Sequence, residues 1–106
     1  MRLLLVNPNT TAAITARMVR SARRRLLAGD TLTALTADHG PAVVRRADQL
    51  AEAEASAQAL AARHLPGHDA LLLAISLDGA ADTLRRAWPH RVIVGMTEAA
   101  LACAGL

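Results

Sequence analysis

The sequence predicts an α/β fold, an open parallel four-stranded sheet flanked by helices in the order βαβαβαβα, with strand order 2-1-3-4. Two uninterrupted aliphatic stretches, Leu3 to Val6 and the run inside Asp69 to Ile75, read as strands buried on both faces. Segments with helical periodicity separate the strand candidates, which calls for right-handed crossovers and helices on both faces of the sheet.

The first strand ends at Asn7-Pro8-Asn9. From Thr11 to Leu27, Ile14, Met18, Ala22 and Leu26 recur every four residues while Arg17, Arg20 and Arg24 fall elsewhere, a helical stripe that Thr10 or Thr11 can cap. Gly29-Asp30 breaks it, and Thr31 to Thr36 alternates like a strand with one polar face or at an edge. Ala37 to Val44, with His39-Gly40-Pro41 inside it, reads as a loop. Ala47 to His64 places Leu50, Ala53, Ala57 and Leu60 on one helical face, and Pro66-Gly67 stops that helix. After the Asp69 to Ile75 strand come a turn at Ser76-Leu77-Asp78-Gly79 and a short helix from Ala80 to Ala87. A fourth strand from Arg91 to Val94, a turn at Gly95-Met96 and a helix from Thr97 to Ala104, capped by Thr97, complete the order. Neither a fixed-period repeat nor a low-complexity linker occurs, so residues 1–106 read as one domain, ending where another crossover would return to the sheet.

Composition narrows the function classes. The chain of 106 residues is 53% hydrophobic with one aromatic residue, Trp88, so its core is aliphatic and it belongs with soluble globular domains. The formal net charge is +3, and all 12 basic residues are Arg. The densest run, Arg23-Arg24-Arg25, falls at a helix end, where cations oppose the negative end of the helix dipole. Without an aromatic platform or a nucleic-acid motif, this reads as a solvated face rather than a nucleic-acid surface. The opening apolar run is too short for a signal peptide, and no segment has the length of a membrane span. Cys103, the single cysteine, excludes an internal disulfide and a CxxC zinc pair. A cytoplasmic setting follows as the expectation, with no membrane partner.

In open α/β sheets, ligands bind beyond the carboxyl ends of the strands where the strand order reverses. For order 2-1-3-4 that point lies between the first and third strands, where Asn7-Pro8-Asn9-Thr10 meets Ser76-Leu77-Asp78-Gly79. The expected substrate-binding residues are Asn7, Asn9, Thr10, Ser76, Asp78 and Gly79, backed by the N–H groups of the first helix. A small polar or anionic ligand fits. The same residues also serve as ordinary turn and cap residues. His39, His64, His68 and His90 are not spaced as metal ligands, so no metal is expected, and Cys103 reads as a small buried hydrophobe. The first turn is neither G-x-G-x-x-G nor a P-loop.

Val6-Asn7-Pro8-Asn9-Thr10-Thr11, Gly40-Pro41-Ala42, a third strand ending near Asp78, and Val94-Gly95-Met96-Thr97-Glu98-Ala99-Ala100 together resemble the N-terminal half of hydantoin racemases, within the aspartate/glutamate racemase superfamily. The resemblance spans essentially the whole chain. It implies racemisation of carbon acids without a cofactor, by one thiol on each face of the stereocentre: one withdraws the proton as thiolate and the other returns one. It also implies a first cysteine at the end of the third strand, in a context like Ala-Cys-Phe-Gly-Asp-Pro-Gly. Here that stretch is Ala74-Ile75-Ser76-Leu77-Asp78-Gly79-Ala80. Anchored on Asp78, Ile75 stands at the cysteine's position, and Ile has no proton to exchange. Ser76, beside it, carries a hydroxyl too weakly acidic to act as an unaided base. The second thiol would come from a second half. The expectation is a racemase-like isomerase fragment for hydantoins or amino-acid-like acids, inactive alone. The alternative is a noncatalytic small-acid-binding or assembly module that pairs with itself or with a separate C-terminal half.

Overall fold

A computed structural model describes residues 1–75 and 79–105. Strand β1 (Arg2–Asn7) is followed by helix α1 (Ala12–Arg23), strand β2 (Thr31–Thr36), helix α2 (Ala47–His64) with a 3-10 turn at Leu65–Gly67, strand β3 (Ala70–Leu73), helix α3 (Gly79–Ala87), strand β4 (Val92–Gly95) and helix α4 (Met96–Cys103). The strands form one sheet in the order β2-β1-β3-β4, all parallel. The two aliphatic runs are thus the adjacent central strands, as their lack of a polar face requires.

Register divides the sheet residues between two faces. Leu4, Leu71 and Ile93 lie in one row and Val6, Leu73 and Gly95 in another, and α2 and α3 cover both rows. Ala53, Ala57 and Ala61, spaced four apart on α2, are fully buried there with Ala80, Ala81 and Leu84 of α3. Alanine along that stripe lets α2 approach the sheet closely and costs no side-chain entropy on burial. Leu50 and Leu60 pack at the margin of this core, as does Trp88.

The opposite face is covered less evenly. Leu5, Leu72 and Val94 form a row across β1, β3 and β4. Helix α1 packs chiefly on β2, and α4 on β4, so the two helices lie over opposite edges. The α1 stripe of Ile14, Met18, Ala22 and Leu26 is only half-buried, and no α4 residue is buried.

Several boundaries differ from the sequence expectation. Helix α1 stops at Arg23 instead of Leu27 because Asp30 reaches back. Its Oδ2 accepts the Leu27 N–H at 2.9 Å, and its Oδ1 pairs with the N-terminal ammonium at 3.0 Å. That turn places Thr31 opposite Arg2. Leu26 keeps its half-buried place from within the turn. Gly95 is the last residue of β4 and Met96 the first of α4, leaving no separate turn. The cap of α4 is accordingly Gly95, not Thr97; Glu98 accepts the Gly95 N–H at 2.7 Å. Glu98 also pairs with Arg85 of α3. The Arg85 guanidinium donates to the Ile93 carbonyl at 2.6 and 3.0 Å, fastening α3 to β4. Cys103 is exposed rather than buried, because α4 rests on a single edge strand.

Candidate functional site

The Asn7-Pro8-Asn9 turn is built from two overlapping Asx turns. Asn7 Oδ1 accepts the Asn9 N–H at 3.2 Å, and Asn9 Oδ1 accepts the Thr11 N–H at 2.9 Å. Each side chain thereby imitates a backbone turn two residues on. Asn7 is fully buried. Its Nδ2 donates to Asn9 Oδ1 and to Thr15 Oγ1, both at 2.9 Å, and to the Thr11 carbonyl at 3.4 Å. Thr15 Oγ1 continues to Thr36 Oγ1 at 2.7 Å, joining α1 to β2. The Asn7 amide therefore organises the start of α1 from below.

Thr11 occupies the N-cap of α1 by backbone geometry, yet its hydroxyl does not cap the helix. It donates to the Ala42 carbonyl at 2.7 Å, while the Thr10 N–H donates to the Pro41 carbonyl at 3.0 Å. Gly40 makes this junction by taking φ +108, the left-handed region open to glycine without steric penalty. The Asn-Pro-Asn-Thr and Gly-Pro-Ala segments, far apart in sequence, thus meet as one structure.

Beyond the carboxyl ends of β1 and β3 opens a cavity of about 540 Å³, lined by Pro8 and Asn9, by Ile14 and Met18 of α1, by residues 43–47 and Leu50, by Ala74 and Ile75, and by Met96. It occupies the topological switch point, where ligands sit in open α/β sheets. Among the described residues, Asn9 is the expected binding residue found on its wall. Among the described residues its Oδ1 alone is engaged, by Asn7 Nδ2 and the Thr11 N–H, and its Nδ2 has no partner. Thr10 is half-buried beside the cavity without lining it, and Asn7 lies beneath. Ser76 and Asp78 fall outside the described residues. Gly79 opens α3, where a Cβ would meet Glu54 Oε1 at 3.1 Å, so it marks a close α2–α3 contact.

Ile75 is 6% exposed and forms part of the cavity floor. The walls supplied by residues 43–50 were not foreseen from sequence. Their signal was positional, since the loop leaving β2 at the carboxyl edge must pass this end of the sheet. Arg45 and Arg46 are the charged residues on the lining. Arg46 pairs with Asp48 at 3.0 Å, holding that carboxyl below its usual range chiefly through this hydrogen bond. Arg45 has no ion pair among the described residues. Gln49 Oε1 fixes the local backbone by accepting the N–H groups of Arg45 and Arg46 at 2.8 and 3.0 Å. Among the described residues the lining is otherwise mainly apolar and contains no acid. Among the described residues, no group of three or more His, Cys, Asp or Glu could hold a metal ion, and no helix is long and apolar enough to cross a membrane.

A fold with these interlocked turns at its switch point is that of a racemase-type α/β domain, and the comparisons agree. The Asp/Glu/Hydantoin racemase family model matches residues 3–106. The chain belongs to that family. Its structure is similar to the crystal structure of an allantoin racemase from Pseudomonas fluorescens, with 28% identity and a TM-score of 0.90, covering 99% of this chain and 44% of that one. An allantoin racemase from Klebsiella pneumoniae shares the fold at 23% identity and a TM-score of 0.85, covering 99% of this chain and 43% of that one. The chain therefore spans less than half the length of these solved structures. No curated protein gives a significant match.

Proposed function

We propose that residues 1–106 form the N-terminal half-site of a cofactor-independent racemase for a small hydantoin-like or amino-acid-like acid, and that this half binds ligand without racemising it. One observation carries the reading: Ile75, at the position the resemblance gives to a thiol base, is a nearly buried part of the cavity floor. Racemisation needs a base to withdraw the α-proton and an acid to return one to the opposite face. An isobutyl-sized hydrocarbon can do neither. The cavity has the size of a small-molecule site, and Asn9 Nδ2 and the Arg45 guanidinium are its donors for a carboxylate or imide oxygen. The second half of such an enzyme would supply the opposite face. A reducing, cytoplasmic setting belongs to the same proposal, in keeping with one unpaired cysteine.

Calorimetric titration with 5-substituted hydantoins, allantoin, aspartate and glutamate, run beside polarimetry, tests this. Binding without optical change is expected, and Asn9→Ala should weaken it by about 1–3 kcal/mol, the cost of a lost buried polar contact. Ile75→Cys should at most exchange the substrate α-hydrogen with deuterated solvent. Racemase turnover by the unmodified chain, abolished by Ser76→Ala, would overturn the proposal.

A further inference from the structure

The cavity beyond the strand ends separates its lining by chemistry. Val44 and Leu50 pack against the core from the wall, and Ile75 lies nearly buried on the floor, so these hydrocarbon surfaces are held in place by the fold. Val43, also on the lining, is exposed. Polar groups are fewer. Asn9 and Arg45 line the same cavity, and Asn9 Nδ2 has no partner among the described residues. Arg46 is taken up by Asp48. Arg45 is thus the cation of the lining that has no ion pair among the described residues.

One interlock of turns sets both groups. The Thr10 N–H and the Thr11 hydroxyl donate to the Pro41 and Ala42 carbonyls at 3.0 and 2.7 Å, which joins the turn carrying Asn9 to the segment that runs into Arg45. Gln49 Oε1 then accepts the Arg45 N–H at 2.8 Å. A guanidinium is planar, forked and permanently charged, so it answers the two oxygens and full charge of a carboxylate better than the neutral carbonyl of an imide. The surfaces of Val43, Val44, Leu50 and Ile75 make the opposite demand. A ureido group or a second carboxylate laid against them would give up its water and gain no partner, whereas an alkyl group is stabilised by leaving water.

We propose that the cavity selects a monocarboxylate bearing an aliphatic substituent. Arg45 and Asn9 Nδ2 hold the carboxylate, and Val43, Val44, Leu50 and Ile75 receive the substituent. The inference rests on the half-site reading, since it names the ligand class that the same cavity takes. It also gives Ile75 a role: where a proton-transferring group would stand, the floor recognises hydrocarbon. Dicarboxylates such as glutamate, and ureido-substituted rings such as allantoin, are the ligands such a lining disfavours.

Calorimetry on the 106-residue chain at neutral pH tests this with 4-methylpentanoate, 5-isobutylhydantoin and glutarate. The first two carry the same isobutyl group on a charged and a neutral head, and glutarate replaces the branched end with a second carboxylate. 4-Methylpentanoate should bind about tenfold more tightly than either other ligand, and more weakly as salt rises. In NMR spectra its addition should shift the side-chain amide of Asn9 more than that of the buried Asn7. Arg45→Gln should weaken 4-methylpentanoate binding about tenfold and leave 5-isobutylhydantoin little changed. Arg63→Gln removes the same charge at the far end of α2 and should alter neither. Val43→Arg, at an exposed position, should move the preference toward glutarate. Tighter binding of 5-isobutylhydantoin or glutarate by the unmodified chain, or an Arg45→Gln chain that keeps its affinity for 4-methylpentanoate, would overturn this inference and leave the half-site reading standing. Failure of all three ligands to bind would overturn both.

Discussion

Asn7 shows how a residue can be central to a site without facing its ligand. Its amide is buried and engaged on both the donor and the acceptor side, so its removal acts on folding. Asn7→Ala should lower the urea-unfolding free energy by about 1–3 kcal/mol, the usual cost of leaving such partners unsatisfied, with a smaller loss for the neighbouring Asn9→Ala. The motif Asn-Pro-Asn-Thr was legible as a turn and a site. Which asparagine points down and which points into the cavity was not, because that depends on Thr15 and Thr36 arriving from other elements. Thr11 takes the N-cap position of α1 as the sequence suggests, but its hydroxyl finds Ala42, a residue 31 positions away, instead of the helix N–H groups. Glu98 gives a residue-scale test of pH. Arg85 first, then the Gly95 N–H, holds its carboxyl below the ordinary value of 4.5. A depressed folded value stabilises the fold fully above the unfolded value and is lost as pH falls through the folded one. NMR titration of Glu98 should therefore give a midpoint below 4.5, rising toward it in Arg85→Met.

Among the elements, β1 and β3 were the most legible, since a continuous aliphatic run can be satisfied only in the middle of a sheet. Helix α2 was nearly as clear, and its alanine stripe invites a direct challenge. Ala57 is fully buried between α2 and the core, so Ala57→Leu should cost about 1–3 kcal/mol through overpacking, measurable as a fall in the denaturation midpoint. Helix α4 was the least legible. A cysteine inside an apolar helix reads as buried, but burial is decided by what the helix lies on, and α4 lies on one edge strand. Cys103 should accordingly react with a thiol reagent in native buffer at a rate that low urea does not change, whereas a buried thiol would wait for unfolding.

Across the whole molecule, the surface acids act in concert on acid stability. Asp30 is lowered by the Leu27 N–H and then the N-terminal ammonium, Asp69 by the Arg2 backbone and then its side chain, and Asp48 by Arg46. With Glu98, all shift in the same direction, so the unfolded chain takes up protons more readily below the ordinary carboxylate range. Unfolding free energy should hold steady above about pH 5 and fall progressively below about pH 4, a trend that urea titrations across this range would reveal. The Asn-Pro-Asn turn also bears on how the molecule ages. Asn7 and Asn9 are the sole asparagines in the chain, and deamidation requires the next residue's backbone nitrogen to attack the side-chain carbonyl. After Asn7 that nitrogen belongs to Pro8 and carries no hydrogen; after Asn9 it belongs to Thr10 and is tied to the Pro41 carbonyl. The native protein is thus shielded from this form of chemical decay. Conversion of Asn9 to aspartate, followed by mass spectrometry, would serve as a slow clock counting the time each molecule has spent unfolded.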